Sequence, residues 1–157
     1  MKNRTITQSR FASIAAPKKP RSVFDRSSGW KGTFDAGKLI PIYVDEALPG
    51  DTFNLTATVF GRLNTPVKPF MDNLMIDVHF FSVPERLLWT NWKKMNGEQD
   101  NPDDSIDFTM PVITTPSGGY GEQSLADYFG IPTKEDIGNV RASAFRAYNQ
   151  IFNRSGS

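Results

Sequence analysis

Between Thr52 and Phe60 the chain alternates without a break. Phe53, Leu55, Ala57 and Val59 fall on one side, and Thr52, Asn54, Thr56 and Thr58 on the other. A period of two sends successive side chains to opposite faces of a strand. The stretch therefore predicts a strand with one apolar face covered and one polar face wet, as in an antiparallel sheet. A second run, Leu74 to Phe81, sets Leu74, Ile76, Val78 and Phe80 against Met75, Asp77, His79 and Phe81. Both of its faces are partly apolar, which predicts a central strand covered on both sides. A third run, Leu39 to Val44, contains Pro41, which cannot donate to a ladder and so predicts an edge or bulged strand. Leu48-Pro49-Gly50-Asp51 is a turn signal, and Asn64-Thr65-Pro66-Val67-Lys68-Pro69 breaks the pattern again. The expected class is mainly β with a few short helices.

Composition agrees. The 12 Phe and 11 Pro among 157 residues suit short strands joined by long loops better than a helix bundle. With no cysteine, disulfides, thiolate metal sites and Cys nucleophiles are excluded, and a lone histidine excludes multi-His metal sites. No cofactor is expected. No apolar run reaches membrane-spanning length and no apolar signal core opens the chain, so an intracellular setting and no membrane partner are expected. The Asn-x-Ser/Thr triplets at Asn3, Asn54 and Asn153 accordingly carry little weight.

The net charge of +1 hides an asymmetry. Residues 1–33 hold eight basic side chains (Lys2, Arg4, Arg10, Lys18, Lys19, Arg21, Arg26, Lys31) and one acid, Asp25, giving +7. Residues 34–157 hold ten basic and sixteen acidic side chains, giving −6. A basic arm on an acidic body is a polyelectrolyte pattern, and the usual polyanion is nucleic acid. Lys2, Arg4, Arg10, Lys18, Lys19 and Arg21 are the candidate nucleic-acid contacts. Two prolines around charges, Pro17 and Pro20, argue that residues 1–33 are extended and flexible. Two readings stand: a solvating tail, or an arm that threads under neighbouring subunits or touches nucleic acid. Phe11, Phe24 and Trp30 supply aromatic anchors that a solvating tail would not need.

Ser82-Val83-Pro84-Glu85 fits a capping box, with a hydroxyl N-cap and Glu three residues on. The helix it starts would bury Leu88, Trp92 and Met95 on one stripe with Trp89 beside it, and stop at Gly97. Residues 98–121 read as loop. A connection that long is usually functional or part of an inter-subunit surface. Ser124 to Phe129, capped by Gly130, predicts a short helix. Residues 142–152 predict another, with Phe145, Tyr148, Ile151 and Phe152 on one stripe.

Catalytic constellations are weak. Asp77 and His79 share a strand face, yet no G-x-S-x-G elbow supplies a nucleophile, so His79 is expected to be a hydrogen-bonded structural histidine. Asp100, Asp103, Asp104 and Asp107 could hold a hard cation at a subunit contact, but Pro102 sits where a second ligand belongs. A solvated loop is the expectation. Gly118-Gly119-Tyr120-Gly121 lacks the Gly-Lys-Ser/Thr of a phosphate loop and reads as a flexible loop tip.

One set of motifs is more specific. Phe34-Asp35-Ala36-Gly37-Lys38-Leu39-Ile40-Pro41, Tyr43-Val44-Asp45-Glu46 and Leu48-Pro49-Gly50-Asp51-Thr52-Phe53 resemble the start of the major capsid protein (F protein family) of microviruses, the gokushovirus-like branch in particular. The resemblance continues through Pro66, Pro69-Phe70-Met71-Asp72-Asn73, Asp77-Val78-His79-Phe80-Phe81, Val83-Pro84, Arg86-Leu87, Trp89 and Trp92. It then takes in Gly97-Glu98-Gln99-Asp100-Asn101-Pro102 and Phe145-Arg146-Ala147-Tyr148-Asn149-Gln150-Ile151-Phe152-Asn153. The resemblance implies part of a viral jelly-roll, an antiparallel β-barrel with long inserted loops. It also implies a non-enzymatic subunit of a T=1 icosahedral capsid enclosing single-stranded DNA. The implied partners are copies of itself, other virion proteins and DNA at the inner surface; the implied location is the virion, and the host cytoplasm during assembly. The family's protein is several times longer and three strands are too few to close a barrel. Residues 1–33 are then expected to be a basic arm, and residues 34–157 the N-terminal part of a capsid domain that is truncated.

Overall fold

The computed structural model describes residues 20–69, 71–104 and 108–155. Regular structure is concentrated after Pro84. In order come α1 (Glu85–Leu88), α2 (Trp92–Met95), β1 (Val112–Thr114), α3 (Leu125–Tyr128), β2 (Asn139–Arg141) and α4 (Ser143–Ser155).

β1 and β2 pair antiparallel, with Val112 opposite Arg141, Ile113 opposite Val140 and Thr114 opposite Asn139. Ile113 and Val140 are the half-buried pair, so their shared face is the one that packs. The ladder is lengthened at both ends. Thr115 donates its N–H to the Gly138 carbonyl at 2.8 Å, and Ala142 donates to Pro111 at 3.0 Å. Thr115 is buried, and its hydroxyl also donates to Gly138, at 2.8 Å. Burial without an unmet polar atom is the condition for placing threonine inside. The β-branched run 112–115 is the signal for this strand, and it lies inside the stretch expected to be loop.

Helix ends follow local chemistry. Gly97 has φ 91°, Gly97 N–H meets Lys94 O, and Glu98 N–H meets Lys93 O, each at 3.0 Å. Gly130 has φ 80°, with Gly130 N–H on Asp127 O and Ile131 N–H on Ala126 O. Both are Schellman closures, which require a left-handed residue that glycine alone adopts without strain. The stops expected at Gly97 and Gly130 are present. Ser124 caps α3, accepting from Asp127 N–H at 3.3 Å, while Asp127 accepts from Gln123 N–H at 2.8 Å.

The helix expected from Ser82 differs. Its N-cap is Pro84, with no side-chain cap bond, and the chain turns extended at Trp89 (φ −144°, ψ 116°) before α2 begins. One helix is thus two short ones. Glu85, which would have closed the capping box, accepts instead from the Ser143 hydroxyl at 2.6 Å and pairs with Arg141 at 3.7 Å. A partner supplied by α4 outcompetes the local one. Breaking the helix at Trp89 lets that indole bury, edge-on to Trp92 with ring centres 6.3 Å apart.

The larger difference concerns the strands. Residues 39–44, 52–60 and 74–81 join no ladder among the described residues; the observed sheet is β1 with β2 alone. No barrel is seen among the described residues, where α4, at 13 residues, is the longest element. The physical reason is that none of the three runs has a hydrogen-bonded strand partner among the described residues. A strand satisfies its backbone only beside another strand, and two-stranded pairings are marginal in water. Gly61 does lie close to Ile76, so that a β-carbon there would sit 2.3 Å from Ile76 Cδ1, yet this contact carries no hydrogen-bonded register.

The core is small and lies around α3 and α4. Trp89, Ala126 and Ala142 are its buried apolar residues among those described. An aromatic cluster surrounds it: Phe129 meets Phe145 edge-on at 5.2 Å, Tyr120 stacks on Phe145 at 6.4 Å, and Tyr148 lies beside Phe129 and Phe152. The stripe expected on α4 is present except that Phe152 is mainly exposed.

Candidate assembly interface

The most unusual surface is the one that alternation marked for burial. Phe53, Leu55 and Val59 are about half exposed, as are Leu74, Ile76 and Phe80; on the opposite sides of the same two runs Phe60 reaches 91% and Met75 84%. A fully buried side chain of this kind gains roughly 1.5–3 kcal/mol over an exposed one. Half-exposure of six such residues therefore forfeits about 6 kcal/mol, comparable with the whole stability of a domain, about 5–15 kcal/mol. A surface of that value calls for a cover. Next to it runs a groove of about 220 Å³ between residues 81–87 and α4, floored by Phe81, Val83, Leu87 and Ile151 with Arg154 at its edge.

An ion pair closes the segment before this surface on itself, and Arg141 with two tyrosines ties it to the later elements. Arg26 Nη2 lies 2.7 Å from Asp45, whose side chain is only 9% exposed, and the Tyr43 hydroxyl donates to the same carboxylate at 2.8 Å. The phenol bond first, then the Glu46 N–H and the Arg26 charge, hold the Asp45 carboxyl below its ordinary range against a desolvation that opposes them. Arg141 reaches Glu46 at 2.6 Å and Glu85 at 3.7 Å, joining the end of β2 to two carboxylates from distant segments. Tyr128 donates its hydroxyl to Thr33 O at 3.0 Å and Tyr148 donates to Leu39 O at 2.9 Å.

Of the candidate nucleic-acid contacts, Lys2, Arg4, Arg10, Lys18 and Lys19 lie outside the described residues. Arg21 is described and exposed, and donates to Gly50 O at 3.0 Å. His79 is exposed and packs its ring 6.1 Å from Phe81; no hydrogen bond reaches its side chain among the described residues. The structural hydrogen bond expected of it is not seen among the described residues, where no strand pairs with residues 74–81. Asp107 lies outside the described residues, and no group of metal-ligating side chains is found among those described. Asp104 accepts instead from the N–H groups of Asp100 and Asn101, at 3.1 and 3.2 Å, and pairs with Lys94 at 3.2 Å. The Asn101 N–H leads in holding its carboxyl low. The Gly118–Gly121 stretch is no free tip: Gly119 packs on the 134–135 backbone, and Tyr120 bridges Thr133.

Arg141, Arg146, Tyr128 and Tyr148 were not legible as contact residues. Their partners lie 58 to 109 positions away for the hydrogen bonds of Arg146 and the tyrosines. Only the stripe on α4 hinted at Tyr148.

Comparison with known proteins gives one consistent answer. The family profile described as capsid protein (F protein) matches residues 12–155. The chain is 51% identical over 146 residues to the capsid protein VP1 of Bdellovibrio phage phiMH2K, covering 93% of this chain and 27% of that one. It is 45% identical over 157 residues to capsid protein VP1 of Chlamydia phage 1, covering 95% and 26%. Spiroplasma virus 4 supplies a third capsid protein VP1, 38% identical over 121 residues, 76% of this chain and 22% of that one. The chain therefore spans about a quarter of the length of these relatives.

Proposed function

Because the chain belongs to the phage capsid protein (F protein) family, we propose that it is a structural, non-enzymatic part of a virion shell wall. The apolar faces of residues 52–60 and 74–81 carry this reading. They follow strand periodicity, they are exposed here, and an assembled wall would cover them. In this reading they belong to an antiparallel jelly-roll barrel whose other strands come from outside the chain. Copies of the barrel form a T=1 icosahedral shell around single-stranded DNA, with other virion proteins attached, in the host cytoplasm during assembly and in the virion afterwards. The test is a graft: this chain replaces the matching segment of the Bdellovibrio phage relative, and the product is sedimented. Fast-sedimenting particles are expected. A product that stays monomeric while folded would overturn the proposal.

The charge division favours a second role for the first 33 residues, with +7 before Phe34 and −6 after. Lys2, Arg4, Arg10, Lys18, Lys19 and Arg21 would contact DNA phosphates at the inner surface. Binding of single-stranded DNA should then weaken steeply with salt and vanish when residues 1–33 are deleted. Salt-independent binding, or binding that survives the deletion, would sink this role.

A further inference from the structure

We propose that residues 30–39 form a strap, latched onto α3 and α4 by two phenol-to-carbonyl hydrogen bonds and able to open while α4 stays folded. The latch points are Tyr128 on Thr33 O and Tyr148 on Leu39 O, across 95 and 109 positions. They grip both ends of one turn. Within it Gly37 takes φ 77° and Lys38 pairs with Asp35 at 2.9 Å, so the turn keeps its own shape whether or not it is held.

The two sides of the latch differ in rigidity. Tyr148 is part-buried, with the Phe129 and Phe152 rings 6.4 and 6.3 Å from its own. Tyr128 ends α3 and faces Trp30 at 6.4 Å. The strap offers two backbone carbonyls, the Trp30 indole with the Phe34 ring beside it, and a half-buried Leu39, while residues 31–38 are all exposed. A segment with so little buried apolar surface has low local stability, and its opening is separable from global unfolding. Two hydrogen bonds then decide whether it is open or closed.

The strap is bounded on both sides. Past Leu39 the chain is held where Arg141 pairs with Glu46, and before Trp30 Arg26 pairs with Asp45 while Arg21 donates to Gly50 O. Opening the latch therefore releases residues 30–39 as a loop rooted at both ends and bares the phenols of Tyr128 and Tyr148. The latch does not depend on the shell-wall reading.

The test is limited trypsin digestion of the full chain, read at Lys31 and Lys38 in the strap and at Arg146 in α4. Each bond shifts the open population about fivefold, so Tyr128→Phe with Tyr148→Phe should speed cleavage at Lys38 about twenty-five-fold, with the singles between. Cleavage at Arg146 should not change. Tyr43→Phe removes a phenol bonded within its own segment and should leave Lys38 as in the parent chain. Equal cleavage at Lys38 in parent and double variant overturns the proposal. So does parallel acceleration at Arg146, which would make the phenols part of the global fold, or an equal effect of Tyr43→Phe.

Discussion

Arg146 Nη1 donates to the carbonyl of Leu88 at 2.7 Å, so that α4 grips the last residue of α1. That carbonyl belongs to the set every helix leaves unpaired at its C-terminus, and a guanidinium there satisfies it and complements the helix dipole. Arg146 is exposed, which limits the gain. Replacing it by Ala should lower stability by about 1 kcal/mol, seen as an earlier denaturation midpoint of α4 helicity. Arg146→Lys should retain part of the loss. An unchanged midpoint in both would show that the bond contributes nothing.

Neighbouring glycines should behave unequally. A β-carbon on Gly119 would lie 2.2 Å from Glu135 N, whereas one on Gly118 meets nothing within 4 Å; both residues have positive φ. Gly118→Ala carries only the backbone penalty, about 1 kcal/mol. Gly119→Ala adds a clash with main chain that cannot rotate away, and should lose about 3 kcal/mol or more. Thermal midpoints of the two variants decide it, and equal shifts would contradict the packing described.

Tyr120 presents the opposite sign. Its hydroxyl is buried without a hydrogen-bond partner among the described residues, while its ring stacks on Phe145. Tyr120→Phe keeps the stack and removes an unmet polar group, so it should be neutral or stabilising by up to about 1 kcal/mol. A clear destabilisation would reveal a partner for that hydroxyl.

The carboxylate contacts define an acid limit. Asp45 and Asp104 both sit below the ordinary aspartate value of 3.8. A carboxyl depressed in the folded state stabilises fully above its unfolded value and loses that contribution as pH falls through the lower folded one. The Arg26–Asp45 and Lys94–Asp104 contacts should therefore be indifferent to pH from neutrality to about 4, and weaken below it. Carboxyl NMR titrations of the two residues should give midpoints under 3.8. A midpoint at or above it would refute the assigned hydrogen bonds.

How much was legible follows from how far apart partners lie. Gly97, Gly130 and Ser124 mark helix ends through bonds that span six residues or fewer, and these were readable in advance. Glu85 looked like a capping residue because Ser82 stands three positions before it. In the folded chain Ser143 and Arg141 claim it instead, at 58 and 56 positions' distance. The strand β1 was hidden because a β-branched run of four inside a long polar connection becomes a strand only when Asn139–Arg141 lies beside it. The basic candidates Lys2 to Lys19 remain a matter of charge alone, with only Arg21 among the described residues.

By itself, the sequence determined the period-two runs, the turn and cap residues, the charge division and the family. These depend on side-chain order and on bonds between near neighbours. The tertiary structure decided which runs find a partner, where Glu85 and Arg141 go, and that Tyr128 and Tyr148 reach back to Thr33 and Leu39. A ladder or a long-range bond needs two segments brought together against the entropy of the loop between them. Residues 112–114 meet that condition, whereas residues 52–60 and 74–81 have the pattern of strands and pair with no neighbour among the described residues.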